Sequence, residues 1–526
     1  MKHPRAEKLL HGDAFSRYLY AAEQNIDING FCVDGLHLWP LLRLVLAWRL
    51  HSFDAQLNPA LSADPIWRAT IAAIENASRL AQETYGVRHA GDQPPAAFLP
   101  PEDTPLHSSG EGRGVLFFVR AEEHYLGTAD GYYAPVLDPW LEVVREGFKV
   151  FKLEPLSDLS RERMPRRHHT LLAQTTRLQL APEEKVYLRA LCEQANRLAD
   201  DVAAWSLSAF GLSLPGLGEE LREHLASMFR SRLFFDEILE NLAPRAVFLN
   251  CYYHPTALGL IWAARRAGIR TIEVQHGTNG ACHLAYTHWT RLPDSGYALL
   301  PDVFLTWGLG SANNIARWFP AGHSAHHVAI GGKLAKKRDP APAGSPLDAL
   351  AQSARSASKT VLVTLQWTDD TALTPLMLAV MRQAPPDWFW MVRCHPMAEY
   401  GKVTCATVDN VERRLAEEGI VNCESRVTSD SALSDVLSLC SHHLTHTSST
   451  IYEAIEYGVP TTVTHPAALG LYGSLIEDRL AHFATDPETI VATILAGKNG
   501  LDWERIEMEL VSDTDLARRQ ITRWCT

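Results

Sequence analysis

SHHLTHTSSTIYEAIEYGVPTTVTHP, residues 441–466, is the stretch that decides the fold. It predicts a short strand, a turn at residues 447–450, a helix, a stop at Gly458-Val459-Pro460 and a second strand over residues 461–464. The four hydroxyl residues of the turn precede the helix, where a side chain can cap the first turn and free N–H groups offer an anion site. Glu453 lies on that first turn, within reach of a second hydroxyl.

The composition is typical of a soluble globular enzyme with more than one domain. The chain has 526 residues, of which 46% are hydrophobic and 21% are charged. A chain of this length exceeds what a single core accommodates, so at least two domains are predicted. The net charge of −12 argues against a large nucleic-acid-binding face, because phosphate contacts need clustered Lys and Arg. We therefore predict no nucleic-acid partner.

Cysteine usage and hydropathy predict a cytoplasmic protein. The nine cysteines form no CxxC pair, so neither a disulfide framework nor a structural zinc site is indicated. The first ten residues are polar and lack a signal-peptide pattern. The most apolar run, Leu36–Leu50, contains Arg43 and Arg49 and falls short of the ~20 residues that span a bilayer. We predict a buried helix there, although its tryptophans and arginines also suit peripheral contact with the inner face of the cytoplasmic membrane.

Strands alternate with helices from residue 114 onwards. Besides the two strands of the opening stretch, the predicted strands cover residues 114–120, 148–153, 246–250, 270–274, 302–307, 327–330, 360–365, 389–393 and 420–422. The predicted helices cover residues 66–85, 138–146, 254–267, 313–319, 373–383, 411–418 and 503–519, with a long helical insert at about 158–240. This alternation is typical of βαβ units and parallel sheets.

Two stretches rich in Pro, Gly, Ala or Ser, residues 91–112 and 334–358, divide the chain. The predicted organisation is a helical N-terminal extension and linker (1–109), a Rossmann-like domain with a helical insert (110–333), a linker (334–358), a second Rossmann-like domain (359–500) and a C-terminal helix (501–526). In open parallel sheets, ligands bind at the carboxyl ends of the strands, so polar residues at those ends are the site candidates.

Three strands of the second predicted domain end in polar groups. The first leads into Gln366, the second into His395, and the third into the hydroxyl residues Ser448, Ser449 and Thr450. Pro396 holds His395 in a rigid turn, from which the imidazole can donate a hydrogen bond or a proton to a phosphate oxygen. We expect these groups to converge on a site about the size of a phosphate.

The first predicted domain has its own polar strand ends. Gln275, His276 and Gly277 follow the strand RTIEV, and Gly277 permits a turn or a close approach to a ligand. Lys333 follows a short strand at the domain boundary, where it can reach a phosphate. Glu122 and Glu123 follow the strand GVLFFVR, which makes either one a candidate general base for a hydroxyl group.

Other acidic and histidine clusters are weaker candidates. Asp130 and Asp138 are lesser alternatives for the base. His442 and His446 share one face of a predicted strand while His443 points away, so no metal site is predicted. No P-loop, Gly-x-Ser-x-Gly or HExxH motif occurs, and no cofactor is predicted.

Five motifs carry a family resemblance: EVQHG, PDVFLTWG, AIGGK, RCHP and HTSSTIYEAIEYGVP. Together they resemble GT-B glycosyltransferases of bacterial surface polysaccharide biosynthesis, the capsule and lipopolysaccharide enzymes. The nearest branches are the transferases of CMP-activated acidic sugars such as Kdo or sialic acid, and the CDP-glycerol polymerases are similar at the same places. The resemblance covers about residues 110–480.

The resemblance implies an α/β GT-B fold, in which two Rossmann-like domains face each other across a cleft. It implies a metal-independent transferase that uses a nucleotide sugar and a glycan or lipid-linked glycan acceptor, in contact with the membrane or with other glycan-assembly enzymes. By motif, the donor-phosphate contacts fall on His395, Ser448, Ser449 and Thr450, and the acidic motif falls on Glu122 and Glu123, the candidate catalytic bases. Their positions in the sequence add Lys333, Gln366, Arg393 and Glu453 as donor-binding candidates, His276 as a catalytic candidate, and Gln275 and Gly277 as acceptor-side candidates. The acidic motif of the sialyltransferases ends in Gly, which His124 replaces here.

Three alternatives stay open. A CDP-glycerol or polyol phosphotransferase would transfer the phosphate as well, whereas a UDP-sugar transferase, epimerase or hydrolase would use the same two-domain fold. A non-catalytic scaffold of a glycan-assembly complex would bind glycans without reacting with them.

Overall fold

Parallel β-sheets dominate the computed structural model of this chain. The structure describes residues 14–50, 114–120, 126–128, 131–155, 170–173, 180–280, 283–319, 323–334, 346–366, 373–395, 407–466, 468–497 and 501–526. The strands are β1 (Cys32–Val33), β2 (Leu36–His37), β3 (Val115–Phe118), β4 (Leu126–Thr128), β5 (Gly131–Tyr133), β6 (Val150–Pro155), β7 (Thr170–Ala173), β8 (Ala246–Leu249), β9 (Arg270–Val274), β10 (Val303–Thr306), β11 (His327–Ile330), β12 (Lys359–Thr364), β13 (Trp388–Arg393), β14 (Cys423–Glu424), β15 (His442–Thr445), β16 (Thr461–Val463) and β17 (Ala481–Phe483).

Helices connect these strands and flank the sheets. They are α1 (Ala14–Asn25), α2 (Trp39–Leu50), α3 (Asp138–Val144), α4 (Pro182–Phe210), α5 (Leu217–Leu242), α6 (Pro255–Arg266), α7 (Leu309–Ala316), α8 (Pro346–Ser356), α9 (Pro375–Gln383), α10 (Val408–Glu417), α11 (Arg426–Asp430), α12 (Leu433–Ser438), α13 (Thr450–Glu456), α14 (Ala468–Leu471), α15 (Gly473–Glu477), α16 (Pro487–Ala496), α17 (Trp503–Glu509) and α18 (Thr514–Cys525). Among the described residues, no helix is long and apolar enough to cross a membrane.

Two large sheets are parallel in every pairing. The first has the strand order β11-β10-β9-β8-β3-β6-β7, and the second has the order β14-β13-β12-β15-β16-β17. Several inner strands, such as Val115–Phe118 and Ala246–Leu249, are short apolar runs buried along their length, because helices cover both faces of such sheets. The predicted α/β class with two Rossmann-like domains is confirmed.

Contacts divide the described chain into two units. Asp13–Lys336 and Val511–Thr526 form the unit of the first sheet, and Lys337–Leu510 forms the unit of the second. Helix α18 completes the core of the first unit, where Ala517, Ile521 and Trp524 pack among the strand residues. This grouping differs from the predicted domain limits, since the N-terminal helices and the last residues belong with the first sheet.

Most predicted strands and helices occur within one or two residues of their expected limits. The exceptions lie where the hydrophobic pattern of the sequence is weak. The predicted linker 334–358 contains helix α8, the strand expected at 420–422 lies at Cys423–Glu424, and the helix expected at 503–519 is two helices. The helix expected at 313–319 lies at Leu309–Ala316, and the insert expected to be helical over about 158–240 contains strand β7. Asp513 separates the two helices of 503–519 by capping α18, accepting hydrogen bonds from the backbone N–H groups of residues 515 and 516. The predicted helix 66–85 and linker 91–112 lie outside the described residues.

The prediction of a buried helix in the apolar run Leu36–Leu50 is confirmed for Trp39–Leu50, which forms α2 with buried side chains at most positions from Trp39 to Leu46, while Leu36 and His37 form β2. Arg43 of this helix forms a buried ion pair with Glu23 of α1, with an Nη1–Oε1 distance of 3.0 Å and side chains exposed by only 2% and 1%. Arg43 also donates hydrogen bonds to the carbonyl oxygens of Leu284, Thr287 and His288 at 3.0, 2.7 and 3.2 Å.

Glu23 is satisfied by the same loop. Its Oε2 accepts hydrogen bonds from the N–H and hydroxyl of Thr290 at 2.7 and 2.6 Å, while its Oε1 also accepts from the indole of Trp39 at 2.8 Å. The pair therefore fastens helices α1 and α2 to the loop of residues 283–291, which lies about 240 positions further along the chain.

Replacing Arg43 with Met tests this fastening. Methionine keeps an apolar stem but leaves the buried Glu23 carboxylate without its cation, and breaking a buried pair costs about 3–5 kcal/mol. We expect the free energy of unfolding of the first unit, measured by chemical denaturation, to fall by about that amount. Arg413→Met is the control, because the Arg413–Glu417 pair is largely exposed and such pairs are worth about 0–1 kcal/mol. Equal stability losses in both variants would contradict the fastening role.

Candidate functional site

Three neighbouring strands of the second sheet carry the predicted phosphate-binding groups at their carboxyl ends. Thr364 of β12 pairs with Arg393 of β13 on one side and with Thr445 of β15 on the other. Gln366, His395 and Thr447 each lie two positions beyond that row. Adjacent strands are about 4.8 Å apart, so these groups occupy one edge of the sheet, with Gln366 in the middle.

Gln366 has an unusual polar group at this edge. Its Nε2 atom is buried and has no hydrogen-bond partner among the described residues. A buried amide donor without a partner costs about 1–3 kcal/mol, so such groups are rare in folded proteins and point to a ligand or water.

The hydroxyl loop after β15 is held by internal hydrogen bonds. The backbone N–H of Ser448 donates to the hydroxyl of Thr445 at 3.3 Å, and the Ser448 hydroxyl donates to Thr450 Oγ1 at 3.0 Å. The hydroxyl of the buried Tyr472 donates to the carbonyl oxygen of Thr447 at 2.8 Å. Ser449 is the N-cap of α13 but makes no side-chain cap bond, and this helix has only seven residues. The loop's hydroxyls therefore make a better candidate site than the helix terminus.

The other predicted donor-binding residues are placed less directly. Arg393 donates hydrogen bonds from Nη1 to the carbonyl oxygens of Thr428 and Ser431, so its guanidinium secures the loop around α11. Burial lowers the pKa of His395, which favours the neutral imidazole near pH 7. The Lys333 ammonium lies over the ring of Trp307 within the first unit. The roles of Lys333, Arg393 and Glu453 in donor binding stay predictions.

His442 and His443 are core residues of β15. His442 Nε2 is 2.9 Å from the hydroxyl of Thr462, whereas His443 Nε2 is 2.8 Å from the hydroxyl of Thr364. Burial lowers the pKa of each to about 3, so both are neutral. Among the described residues, no group of three or more His, Cys, Asp and Glu side chains could hold a metal ion.

The carboxyl edge of the first sheet holds a cluster of histidines and tyrosines. His276 follows β9, and its Nε2 is 3.2 Å from the hydroxyl of Tyr253, which follows β8. The Tyr253 ring is 5.4 Å from that of His283, which in turn is 4.7 Å from that of Tyr286. His283 and Tyr286 lie on the loop that Arg43 secures.

The histidines of this cluster are neutral. Burial is the main cause that lowers the pKa of His276 to about 3 and that of His283 to about 4. A general base works best with a pKa near the operating pH, so His276 is better suited to hydrogen bonding than to proton abstraction. Its catalytic role stays a prediction.

Gln275 and Gly277 flank His276. The Gln275 side chain donates to the carbonyl of Gly277 and to the hydroxyl of Ser311 at 2.8 and 3.0 Å, and it accepts from the N–H of Trp307 at 2.7 Å. It thus joins the ends of β9 and β10. A Cβ atom at Gly277 would meet no atom of the described residues within 4 Å. Acceptor-side roles for both residues stay predictions.

The predicted acidic bases are only partly placed. Glu122, Glu123 and Asp130 lie outside the described residues. Asp138 is buried, with its Oδ1 2.7 Å from the ammonium of Lys152 and its Oδ2 accepting from the N–H of Ala134 at 2.9 Å. These contacts make Asp138 a structural residue, so it is no longer an alternative for the base.

Glu273 is a buried carboxyl group that the sequence reasoning missed. It lies in β9 with 2% exposure, accepting hydrogen bonds from the hydroxyl of Tyr286 at 2.6 Å and from the N–H of Tyr252 at 3.3 Å. Burial raises the pKa of Glu273 to about 8. A charged residue inside the apolar strand RTIEV was the available signal, since Glu is seldom buried without a partner.

Comparison with known proteins yields only distant structural likenesses. No family model matches the chain, and no curated protein matches it. The UDP-GlcNAc 2-epimerase of Neisseria meningitidis is 12% identical, with a TM-score of 0.41 over 78% of this chain and 97% of that one. A UDP-glucosyltransferase of Polygonum tinctorium is 13% identical, with a TM-score of 0.44 over 79% and 99%. The UDP-GlcNAc 2-epimerase of Methanocaldococcus jannaschii is 11% identical, with a TM-score of 0.43 over 78% and 98%. Likeness of this degree establishes neither a shared activity nor a shared arrangement of the two units.

Replacing Glu273 with Gln tests its protonation. Because the pKa of this carboxyl rises from its ordinary value of 4.5 to about 8 on folding, the stability from the protonated form is complete below about pH 4.5 and lost as pH rises towards 8. We expect the unfolding free energy of the wild type to fall across this window relative to Glu273→Gln, by up to about 1.4 kcal/mol per pH unit. Denaturation from pH 4.5 to 9 measures the difference.

The exposed Glu240→Gln variant is the control for loss of a charge from the same unit. A pH-independent difference between the wild type and Glu273→Gln would show that Glu273 is ionised throughout.

Proposed function

We propose that this protein is a glycosyltransferase that uses a CMP-activated acidic sugar and builds a bacterial surface glycan. The donor phosphate binds at the carboxyl edge of the second sheet. The single observation that carries this proposal is the buried, unpartnered Nε2 donor of Gln366 among the described residues, which lies between the strand ends that present His395 and the hydroxyl loop. The motifs RCHP and HTSST of the resembling transferases fall on these same strand ends.

The chemistry of this edge suits a phosphate leaving group. The Gln366 amide, the His395 imidazole and the Thr450 hydroxyl are hydrogen-bond donors at this edge, and the Ser448 hydroxyl orients Thr450 by donating to its Oγ1. Donors fixed in advance stabilise the negative charge that develops on the phosphate as the bond to the sugar breaks. A monophosphate leaving group carries less charge than a diphosphate, so neutral donors suit CMP, and we propose a reaction without a metal ion.

We propose that the acceptor binds at the carboxyl edge of the first sheet. Transfer to an acceptor hydroxyl needs a base, and we assign that role to Glu122 or Glu123, which follow β3 in the sequence. The buried Glu273 is held by Tyr286 and Tyr252, which makes it a supporting residue. A glycan or lipid-linked glycan is the proposed acceptor, with the protein in the cytoplasm at the inner face of the membrane.

A thermal-shift comparison of CMP, CDP, UDP, UMP and GDP tests the donor assignment. A ligand that binds only the folded state stabilises it by about 2.7 kcal/mol at 100 times its Kd. We expect CMP to raise the melting temperature of the wild type and to lose this effect in Gln366→Glu, because the substitution replaces the amide donor with a carboxylate that repels phosphate.

Gln352→Glu provides the matched control, since it makes the same change on an exposed position of α8 in the same unit. It should keep the CMP response. Stabilisation by CDP alone would favour the polyol phosphotransferase, and stabilisation by UDP alone the UDP-sugar enzyme. A wild type that responds to none of the five nucleotides would overturn the transferase proposal.

A further inference from the structure

The first unit contains a second strand-end His-Pro pair, which the sequence analysis did not single out. His254 lies five positions beyond the end of β8 and precedes Pro255, whereas His395 lies two positions beyond the end of β13 and precedes Pro396. Strand β8 lies between β3 and β9, so the segments after these three strands leave the sheet side by side. They carry Arg120, His254 and His276.

The hydrogen bonds of His254 fix its tautomer. Its Nδ1 accepts a hydrogen bond from the backbone N–H of Ala257 at 3.3 Å, which makes His254 the N-cap of helix α6. An imidazole nitrogen that accepts carries no proton in the neutral ring, so the proton of neutral His254 is on Nε2. That Nε2 is buried and has no hydrogen-bond partner within the described part of the chain. His254 Nε2 is therefore a hydrogen-bond donor in a fixed position that has no acceptor among the described residues.

His276 presents a second nitrogen of the same kind. Its Nε2 hydrogen-bonds with the Tyr253 hydroxyl, while its Nδ1 is buried and has no partner among the residues that the structure describes. The proton of neutral His276 lies on Nδ1 when the Tyr253 hydroxyl donates to Nε2, and on Nε2 when that hydroxyl accepts. An anion at this edge selects the first form, in which His276 Nδ1 is a donor beside the Nε2 donor of His254.

Arg120 adds a positive charge to this edge. It lies two positions beyond the end of β3, and its charge contributes to lowering the pKa of both His254 and His276, after the larger effect of burial. Strand pairing places β3 beside β8 in register, with Phe117 opposite Phe248, and the ring of Phe118 is 6.4 Å from that of His254. An arginine beside two imidazole donors is a combination that selects oxyanions.

We propose that Arg120, His254 and His276 form an oxyanion-binding site at the carboxyl edge of the first sheet, separate from the phosphate site of the second unit. The bound group is a carboxylate or a phosphate. Assigning it to the carboxylate of an acidic sugar rests on the proposed function, whereas the site itself does not.

The neutral state of the histidines suits such a site. The two neutral imidazoles supply hydrogen-bond donors to an anion without adding positive charge, so the site avoids the cost of burying further cations.

Isothermal titration calorimetry of the full chain with N-acetylneuraminic acid, Kdo and inorganic phosphate tests the site. The variant is His254→Asn, because Asn is a good N-cap and keeps the acceptor for Ala257 while removing the ring donor. Arg120→Gln removes the charge. The control is His224→Asn, since the His224 ring hydrogen-bonds to the carbonyl of Glu220 in its own helix, α5. Melting curves check that each variant is folded.

We expect an acidic sugar to bind the wild type and His224→Asn alike, with affinity at least about tenfold weaker in His254→Asn and in Arg120→Gln. Binding of phosphate in place of the acidic sugars, with the same losses, would keep the oxyanion site but assign it to a phosphate. Absence of binding by all three anions, or unchanged affinity in folded His254→Asn, would overturn the site.

The response of His254→Asn to CMP separates this inference from the proposed function. A CMP response that persists while anion binding is lost supports two independent sites. Anion binding to a wild type that no nucleotide stabilises would leave the oxyanion site standing and remove the transferase.

Discussion

The parallel pairing of every strand in both large sheets is the constraint on which the candidate sites depend. Helices cover such sheets, so the strands are largely buried and many are apolar runs, and the backbone hydrogen bonds are used within the ladder. The polar side chains of the two candidate sites therefore lie in the segments that follow the strands. Gln366, His395 and the hydroxyl loop lie beyond one sheet, and His254 and His276 lie beyond the other.

Neutral hydrogen-bond donors characterise both edges. Burial lowers the pKa of His254 and His276 to about 3 and also lowers that of His395, so these imidazoles carry no charge near neutral pH. Pro255 restricts the backbone of His254, and the backbone N–H of Ala257 fixes the orientation of its ring. Oriented dipoles of this kind stabilise an anion without the cost of burying several positive charges.

Local sequence patterns predicted the elements but not the long-range contacts. The limits of β9 and β11 match their predictions because each is a short apolar run between turn residues. The same His-Pro signal identified His395 and overlooked His254, since no hydroxyl cluster follows β8 to draw attention to it. Glu23 and Arg43 gave no local sign of their partners in the loop of residues 283–291, which lie 267 and 245 residues away for the bonds to Thr290 and His288. The GT-B arrangement of the two units stays a prediction.

The path of the chain has a consequence for how the protein is made. Because Lys337–Leu510 interrupts the unit of the first sheet, this segment leaves the ribosome before the residues that complete the other core. Helix α18 supplies Ala517, Ile521 and Trp524 to that core, and Gln520 donates to the carbonyl of Ile330 at 2.9 Å. During translation, the unit of the second sheet can therefore fold before the unit of the first sheet, because the core of the first sheet is incomplete until helix α18 is synthesised.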